Sequence, residues 1–159
     1  MADVMLIDLK ALLVEREDCD AGTMTKVREA LAQGSTQYRT LRDVNEILKR
    51  KLESAQGAAA KKWHLKIGVA SYFLGHTGDA VEHLRHAEGA LANFLLGRAL
   101  ASQQDFDDAI KAFEKAEKSG YNASQVQLQR ASIYRQRGDL DKARTLLEKL
   151  GDLGSHNAE

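Results

Sequence analysis

Three histidines lie close together in the middle of the chain, and they are the first residues whose spacing could support chemistry. His83 and His86 stand three residues apart, the spacing that puts two side chains on one helix face, and His76 lies nearby. Imidazole is a common ligand of transition metals, so this group could begin a metal site. No cysteine or carboxylate completes it at a recognisable spacing, although Glu82 is adjacent to His83. We interpret them as partly exposed helix histidines and expect no metal and no cofactor.

Two other features share something with active sites but lack the residues that such sites need. Cys19, the single cysteine, has no base near it in the sequence, so we interpret it as a loop or partly buried thiol. The segment GHTGDA, residues 75–80, has two glycines but no preceding strand, which a phosphate-binding loop requires. With no persuasive catalytic constellation, we expect a protein that is not an enzyme.

Basic residues cluster at residues 49–51 and again at Lys61, Lys62 and Lys66. Such a zone is typical of a solvated helix end, and an acidic partner is the alternative. Over the whole chain, 23 Lys and Arg balance 23 Asp and Glu, so no net charge attracts nucleic acid or an anionic membrane. No apolar run approaches the roughly 18 residues of a membrane span. With one cysteine and no signal-peptide pattern, we expect a cytoplasmic protein.

The composition favours helices throughout. The chain has 159 residues, none of them proline, and only 6% are aromatic. β-Branched residues do not alternate with polar ones, as they do in half-buried strands. We therefore expect an all-α fold.

Two segments have nearly the same pattern, DFDDAIKAFEKA at 105–116 and DLDKARTLLEKL at 139–150. Their shared positions are 34 residues apart, as Ala109 and Ala143 show. The register continues upstream, and it predicts a repeating pair of helices. The predicted bounds are about 90–102 and 123–137 for helix A, and about 106–118 and 140–150 for helix B.

The small residues of this pattern stand where the two helices of a hairpin must approach closely. They are Gly97 with Ala109 and Ala131 with Ala143. Large apolar residues between them are expected to fill the core. Asp105 directly precedes one helix B, where a carboxylate can cap free amides.

A 34-residue unit with this grid of small and large residues resembles the tetratricopeptide repeat, whose pattern is W-x2-L-G-x2-Y…A-x3-F…P. The units are a degenerate one at about 59–89 and two clear ones at about 90–123 and 124–155. In the degenerate unit, Ala80 precedes Ala109 by only 29 residues, so five residues are missing from the connection. The resemblance implies a right-handed superhelix of antiparallel helix pairs over residues 58–150. We expect residues 151–159 to form a flexible tail.

Residues 1–57 do not fit the repeat, and we expect them to form an N-terminal helical cap. The apolar run from Val4 to Val14 predicts a helix that is buried on more than one side. Two further helices are predicted, one with threonine caps that ends at Gly34 and one closed by Gly57. The second has some heptad spacing, but its wide apolar stripe favours a core-facing helix over a coiled coil. A cap of this kind would cover the apolar face of the end repeat.

The resemblance also implies a function, because stacked helix A elements of such repeats line a concave groove that binds a peptide or helix of another protein. Apolar residues with a basic border would suit a partner that has apolar and acidic residues. A carboxylate clamp is not implied, since Val69 and Ser132 stand where an asparagine and a basic residue would be needed. The residues expected to contact the partner are Leu65, Lys66, Tyr72, Phe73, Phe94, Leu95, Arg98 and Arg135.

Three alternatives stay open at the level of sequence. The apolar helix at Val4–Val14 could fill part of the groove, or the groove residues could be plain core. The leucines up to Leu150 have no evident cover, so this end could dock on another copy and make the chain a self-association module that forms a homo-oligomer. The chain could also be an N-terminal regulatory segment of a larger protein.

Overall fold

The structure, a computed structural model, describes residues 5–156, with side chains described as far as Asp152. Within these residues all regular structure is helical, which confirms the expected all-α fold. A π-helical turn at Ala11–Glu15 comes first. It is followed by α1 (Ala21–Ala32), α2 (Ser35–Glu53), α3 (Gly57–Phe73), α4 (Thr77–Arg85), α5 (Ala90–Ser102), α6 (Phe106–Lys118), α7 (Ala123–Gln136) and α8 (Leu140–His156). No described helix is long and apolar enough to cross a membrane.

The predicted helix pairs are present as three antiparallel hairpins, α3 with α4, α5 with α6 and α7 with α8. The bounds of α5 and α6 are those that the 34-residue spacing predicts. The chain divides into two compact units, Met1–Glu88 and Gly89–Glu159. The first unit therefore combines the proposed cap, residues 1–57, with the degenerate repeat. The second contains the two clear repeats.

The N-terminal segment differs from the predicted Val4–Val14 helix. Residues 5–8 are not helical, and Met5 and Leu6 are 85% and 61% exposed. The backbone here bonds to glutamine side chains instead: Ile7 N donates to Gln33 Oε1 at 2.9 Å, and Gln37 Nε2 donates to Ile7 O at 3.0 Å. Only the later apolar residues of the run, such as Leu9 and Leu13, are buried, and Val4 lies outside the described residues.

The turns inside the three hairpins are built alike. Each helix A is closed by a backbone bond: His76 N to Ser71 O at 2.9 Å, Asp105 N to Leu100 O at 3.0 Å, and Asp139 N to Tyr134 O at 2.8 Å. The residue before the donor has a left-handed backbone, with φ of 79° at Gly75, 64° at Gln104 and 84° at Gly138. The predicted side-chain cap at Asp105 is wrong, because its carboxylate makes no capping bond. Its backbone N–H closes α5, and its carbonyl accepts from Ala109 N at 3.0 Å.

The last helix extends beyond its predicted end. Helix B was expected to stop at Leu150 before a flexible tail at 151–159, whereas α8 runs to His156. Leu153 continues the apolar spacing by one more turn, and the glycines of this stretch lower helix propensity by only about 1 kcal/mol each. Residues 157–159 lie outside the described part of the chain.

Two hairpins depend on a close contact between a glycine of helix A and a large side chain of helix B. A Cβ atom on Gly97 would lie 2.7 Å from Cε1 of Phe113, and one on Gly68 would lie 2.5 Å from Cδ2 of Leu84. These distances are too short for carbon atoms, and both large side chains are buried. Only glycine therefore lets the helices of these pairs approach as closely as they do.

Gly97→Ala is expected to destabilise the protein by about 1–2 kcal/mol, because the added methyl group displaces the fully buried Phe113 ring. Urea unfolding followed by circular dichroism would measure the change. The matched control is Gly151→Ala in α8, where nothing lies within 4 Å of the added carbon. The free energy of unfolding of that variant should rise by about 0.5–1 kcal/mol, because alanine has a higher helix propensity than glycine. A gain of the same size in both variants would contradict the close-contact argument.

Candidate partner-binding surface

On α3, three of the residues expected to contact a partner are half-buried and one is fully buried. Leu65, Tyr72 and Phe73 keep part of their surface, and the rings of Tyr72 and Phe73 meet edge-on with centroids 5.4 Å apart. Lys66 is only 1% exposed, so its expected role in contacting a partner is corrected. The first unit thus offers an apolar surface on α3 without the lysine that was expected beside it.

The buried Lys66 holds the loop that precedes α1. Its Nζ donates to the carbonyl oxygen of Arg16 at 2.5 Å and lies 4.9 Å from the centre of the Trp63 ring. Lys62 lies at the same distance from that ring and pairs with Glu17 at 3.2 Å. Burial, more than any neighbouring charge, lowers the pKa of the Lys66 ammonium group. The lysine is therefore a structural link between α3 and the N-terminal segment.

The histidines that lie close together in the structure are not the three that the sequence grouped. His83 and His86 lie beside His64 of α3, with ring centroids 5.2 Å and 5.1 Å from the His64 ring. The sequence grouped them with His76 instead, because His64 lies 19 residues from His83 along the chain. Within the described residues, no group of three or more histidine, cysteine or acidic side chains is placed to hold a metal ion.

In the second unit, two of the expected contact residues belong to the core. Phe94 of α5 stacks on Tyr121, with centroids 4.0 Å apart and an angle of 11° between the rings, and it meets Phe113 edge-on at 5.6 Å. Leu95 is fully buried. Phe94 and Leu95 are therefore corrected to core residues, while Arg98 of α5 remains half-buried.

An apolar cleft lies between α7 and α8 and includes one expected residue, Arg135. The cleft has a volume of about 210 Å³ and is lined by Leu128, Ala131, Ser132, Arg135, Ala143 and Leu147. Leu128 and Leu147 are 51% and 49% exposed, so both leave apolar surface in contact with water. Arg135 is exposed. The α7–α8 cleft thus combines exposed leucines with one accessible guanidinium group.

A partial signal for this cleft is present in the sequence. Leu128, Ser132 and Arg135 follow the three- and four-residue spacing of one helix face, so a surface on α7 could be inferred. The sequence left Leu147 open, since its position in the repeat matches that of the buried Phe113, yet it is also one of the late leucines that have no evident cover. Its exposure depends on packing around α8, which the repeat pattern does not specify.

A second cleft between α7 and α8, of about 300 Å³, is also mainly apolar, but its cationic groups are paired within the chain. It is lined by Arg130, Tyr134, Asp141, Lys142, Thr145 and Leu146. Arg130 donates to Gln127 Oε1 at 3.1 Å and lies 3.6 Å from a carboxylate oxygen of Glu114. Lys142 lies 5.5 Å from the centre of the Tyr134 ring. Because its cationic groups already have partners in the chain, this cleft is a weaker candidate than the first.

The hairpins, their 34-residue spacing and their shared turns define a helical-repeat protein. The sequence matches the tetratricopeptide repeat over residues 65–120 and 94–158, which together span more than half of the chain. The chain belongs to the tetratricopeptide-repeat family, and the resemblance noted in its sequence is confirmed.

Solved structures of MamA have the same fold. MamA MSR-1 aligns with a TM-score of 0.68 and 19% identity over 94% of this chain and 94% of that one. Another MamA crystal structure aligns with a TM-score of 0.66 and 19% identity over 86% of this chain and 90% of that one. MamA AMB-1 aligns with a TM-score of 0.64 and 24% identity over 92% of this chain and 81% of that one. At these identities the similarity concerns the fold alone. A comparison with curated protein sequences finds no match.

Cys19 is expected to be unreactive in the folded protein, because burial raises the pKa of its thiol to about 12. At pH 8 the folded chain should react with a disulfide reagent at least about a hundredfold more slowly than the urea-unfolded chain, since the thiolate is the reactive form. Stopped-flow absorbance would measure both rates. Equal rates in the two states would contradict the buried thiol, and Cys19→Ser should abolish the signal in both.

Proposed function

We propose that the protein is a non-enzymatic interaction module that binds a peptide or helix of a partner protein along its helix A surfaces. The single observation that carries the proposal is the α7–α8 cleft of a tetratricopeptide-repeat chain, where two half-exposed leucines lie beside an accessible arginine. Repeat arrays of this kind commonly use helix-lined surfaces to bind peptides. The cytoplasm remains the proposed compartment.

The chemistry of the cleft favours a partner with one apolar anchor and an acidic group near it. Leu128 and Leu147 offer apolar surface that an inserted side chain would remove from water, at roughly 25 cal/mol for each Å² buried. Arg135 presents a planar fork of donors that matches a carboxylate. Affinity would therefore come mainly from the apolar anchor, and orientation from the arginine.

Further contacts are proposed for the expected residues that keep exposed surface. In the first unit these are Leu65, Tyr72 and Phe73 on α3, and in the second unit Arg98 on α5. Each is half-buried, so each could gain contact area without any rearrangement of the core.

The double variant Leu128→Ala, Arg135→Glu should lose its partner, because it removes an apolar wall of the cleft and reverses the charge beside it. Proteins captured from native lysate by the unmodified chain would be identified, and the affinity of the purified partner would then be measured calorimetrically. We expect binding to weaken at least about tenfold.

The matched control for this variant is Leu140→Ala, Arg144→Glu. It makes the same chemical changes at exposed positions of α8 that do not line the cleft. The control should bind as the unmodified chain does. If both variants bind equally well, or both lose binding equally, the cleft is not the partner site.

Self-association is a second candidate function, and the exposure of α8 supports it. Leu140 and Leu147 are 61% and 49% exposed and lie seven residues apart, on one face of α8. A second copy of the chain could therefore cover this surface and form a homo-oligomer.

Leu147→Glu should lower the mass of the protein at high concentration if copies associate through α8, because the carboxylate would be buried in the interface. Sedimentation equilibrium over a hundredfold concentration range would measure the mass. Arg144→Glu, which changes an exposed residue of the same helix, is the control. A monomer mass for the unmodified chain at every concentration would exclude this second candidate.

A further inference from the structure

Three imidazole rings meet between the helices of the first hairpin. His64 Nδ1 on α3 lies 3.0 Å from His83 Nδ1 on α4, which is hydrogen-bond distance. The ring of His86, the residue that directly follows α4, has its centroid 5.1 Å from that of His64. His64 and His83 are half-buried, and His86 is exposed. This histidine contact joins the two helices through side chains whose charge changes near neutral pH.

The contact between the two Nδ1 atoms tolerates only a limited number of protons. In the neutral pair, one ring carries a hydrogen on Nδ1 and donates it, and the other ring accepts with a free lone pair. One added proton can enter at the outer nitrogen of the donor ring and leave this bond intact. A second added proton must occupy the accepting Nδ1, which then places two N–H groups against each other. The bond is therefore lost when both rings are charged.

The surroundings make this second protonation unfavourable. Burial is the largest influence and lowers the pKa of both His64 and His83. For His64, the neighbouring rings of His83 and His86 act in the same direction, while Glu82 opposes them. For His83, Glu82 and Asp79 of α4 favour the charged form, while Lys49 of α2 and His86 disfavour it.

We propose that the His64–His83 contact is an acid-sensitive joint, which breaks when both rings are protonated and thereby loosens the α3–α4 hairpin. The effect is confined to the first compact unit, because the only histidine of the second unit, His156, lies at the end of α8. The inference does not depend on the proposed partner binding.

The direction of the pH dependence follows from proton linkage. In the unfolded chain both histidines titrate near the ordinary value of about 6.5, and in the folded chain their pKa values are lower. Well above pH 6.5 both histidines are neutral in the folded and in the unfolded chain, and the His64–His83 contact contributes its full stability. As the pH falls through about 6.5, the unfolded state binds more protons than the folded state, so stability is lost. The loss ends once the pH is below the folded values.

A double-mutant cycle with His64→Gln, His83→Gln and the double variant tests the joint. Urea unfolding of the four proteins at pH 7.5 and pH 5.0 would give the coupling between the two positions. We expect a favourable coupling at pH 7.5 that disappears or changes sign at pH 5.0. A coupling of the same size at both pH values would overturn the proposal. His76→Gln, which changes a histidine outside the group, should leave the pH dependence as it is in the unmodified chain.

Two measurements on the unmodified chain keep the proposal testable if a glutamine variant fails to fold. Histidine ring resonances should show His64 and His83 titrating in two coupled steps below the ordinary range. Amide hydrogen exchange, corrected for the intrinsic rates, should show α3 and α4 losing more protection than α5 and α6 between pH 7.5 and pH 5.0. Independent titrations near 6.5, or an equal loss of protection in both units, would overturn it.

Discussion

The distance between the two helices of a hairpin is the constraint on which the rest of this structure depends. Gly68 and Gly97 allow Leu84 and Phe113 to sit directly against the opposing backbone, and these large side chains are then sealed from water. In the last hairpin the corresponding residues are Ala131 and Leu147, and there the large side chain remains half exposed and borders a cleft. The same pair of positions therefore makes a closed core in two hairpins and an accessible surface in the third.

Helix positions in the repeats could be predicted closely because they depend on local pattern. The 34-residue register between Ala109 and Ala143 located α5 and α6 at their observed bounds and α7 to within one residue at its end. Small residues, turn positions and apolar spacing all repeat with that register, so several independent features point to the same helices. The end of α8 was predicted too early, at Leu150, although the apolar spacing continues through Leu153 and the helix runs to His156.

The candidate site was harder to predict, because burial depends on contacts between distant parts of the chain. The buried Lys66 donates to the carbonyl oxygen of Arg16, 50 residues earlier, and Phe94 is stacked against Tyr121. The N-terminal run is apolar enough for a helix, yet side chains 26 and 30 residues further on hydrogen-bond to the non-helical backbone of Ile7. The family register indicated which residues to expect on the helix A face, but it carried no information about which of them this chain's own segments would cover. Arg135 remained accessible since the α7–α8 hairpin leaves its cleft open.

The position of Trp63 gives the two units different optical properties. It is the only tryptophan of the chain, and the ammonium groups of Lys62 and Lys66 each lie 4.9 Å from its ring. Nearby cations alter the emission of an indole, so the fluorescence of this residue depends on the loop that Lys66 holds in place. Since the unit from Gly89 onward has no tryptophan, indole emission reports on the first unit alone, whereas circular dichroism reports on the helices of both. A difference between the two signals during unfolding would separate the two halves of the protein without any added label.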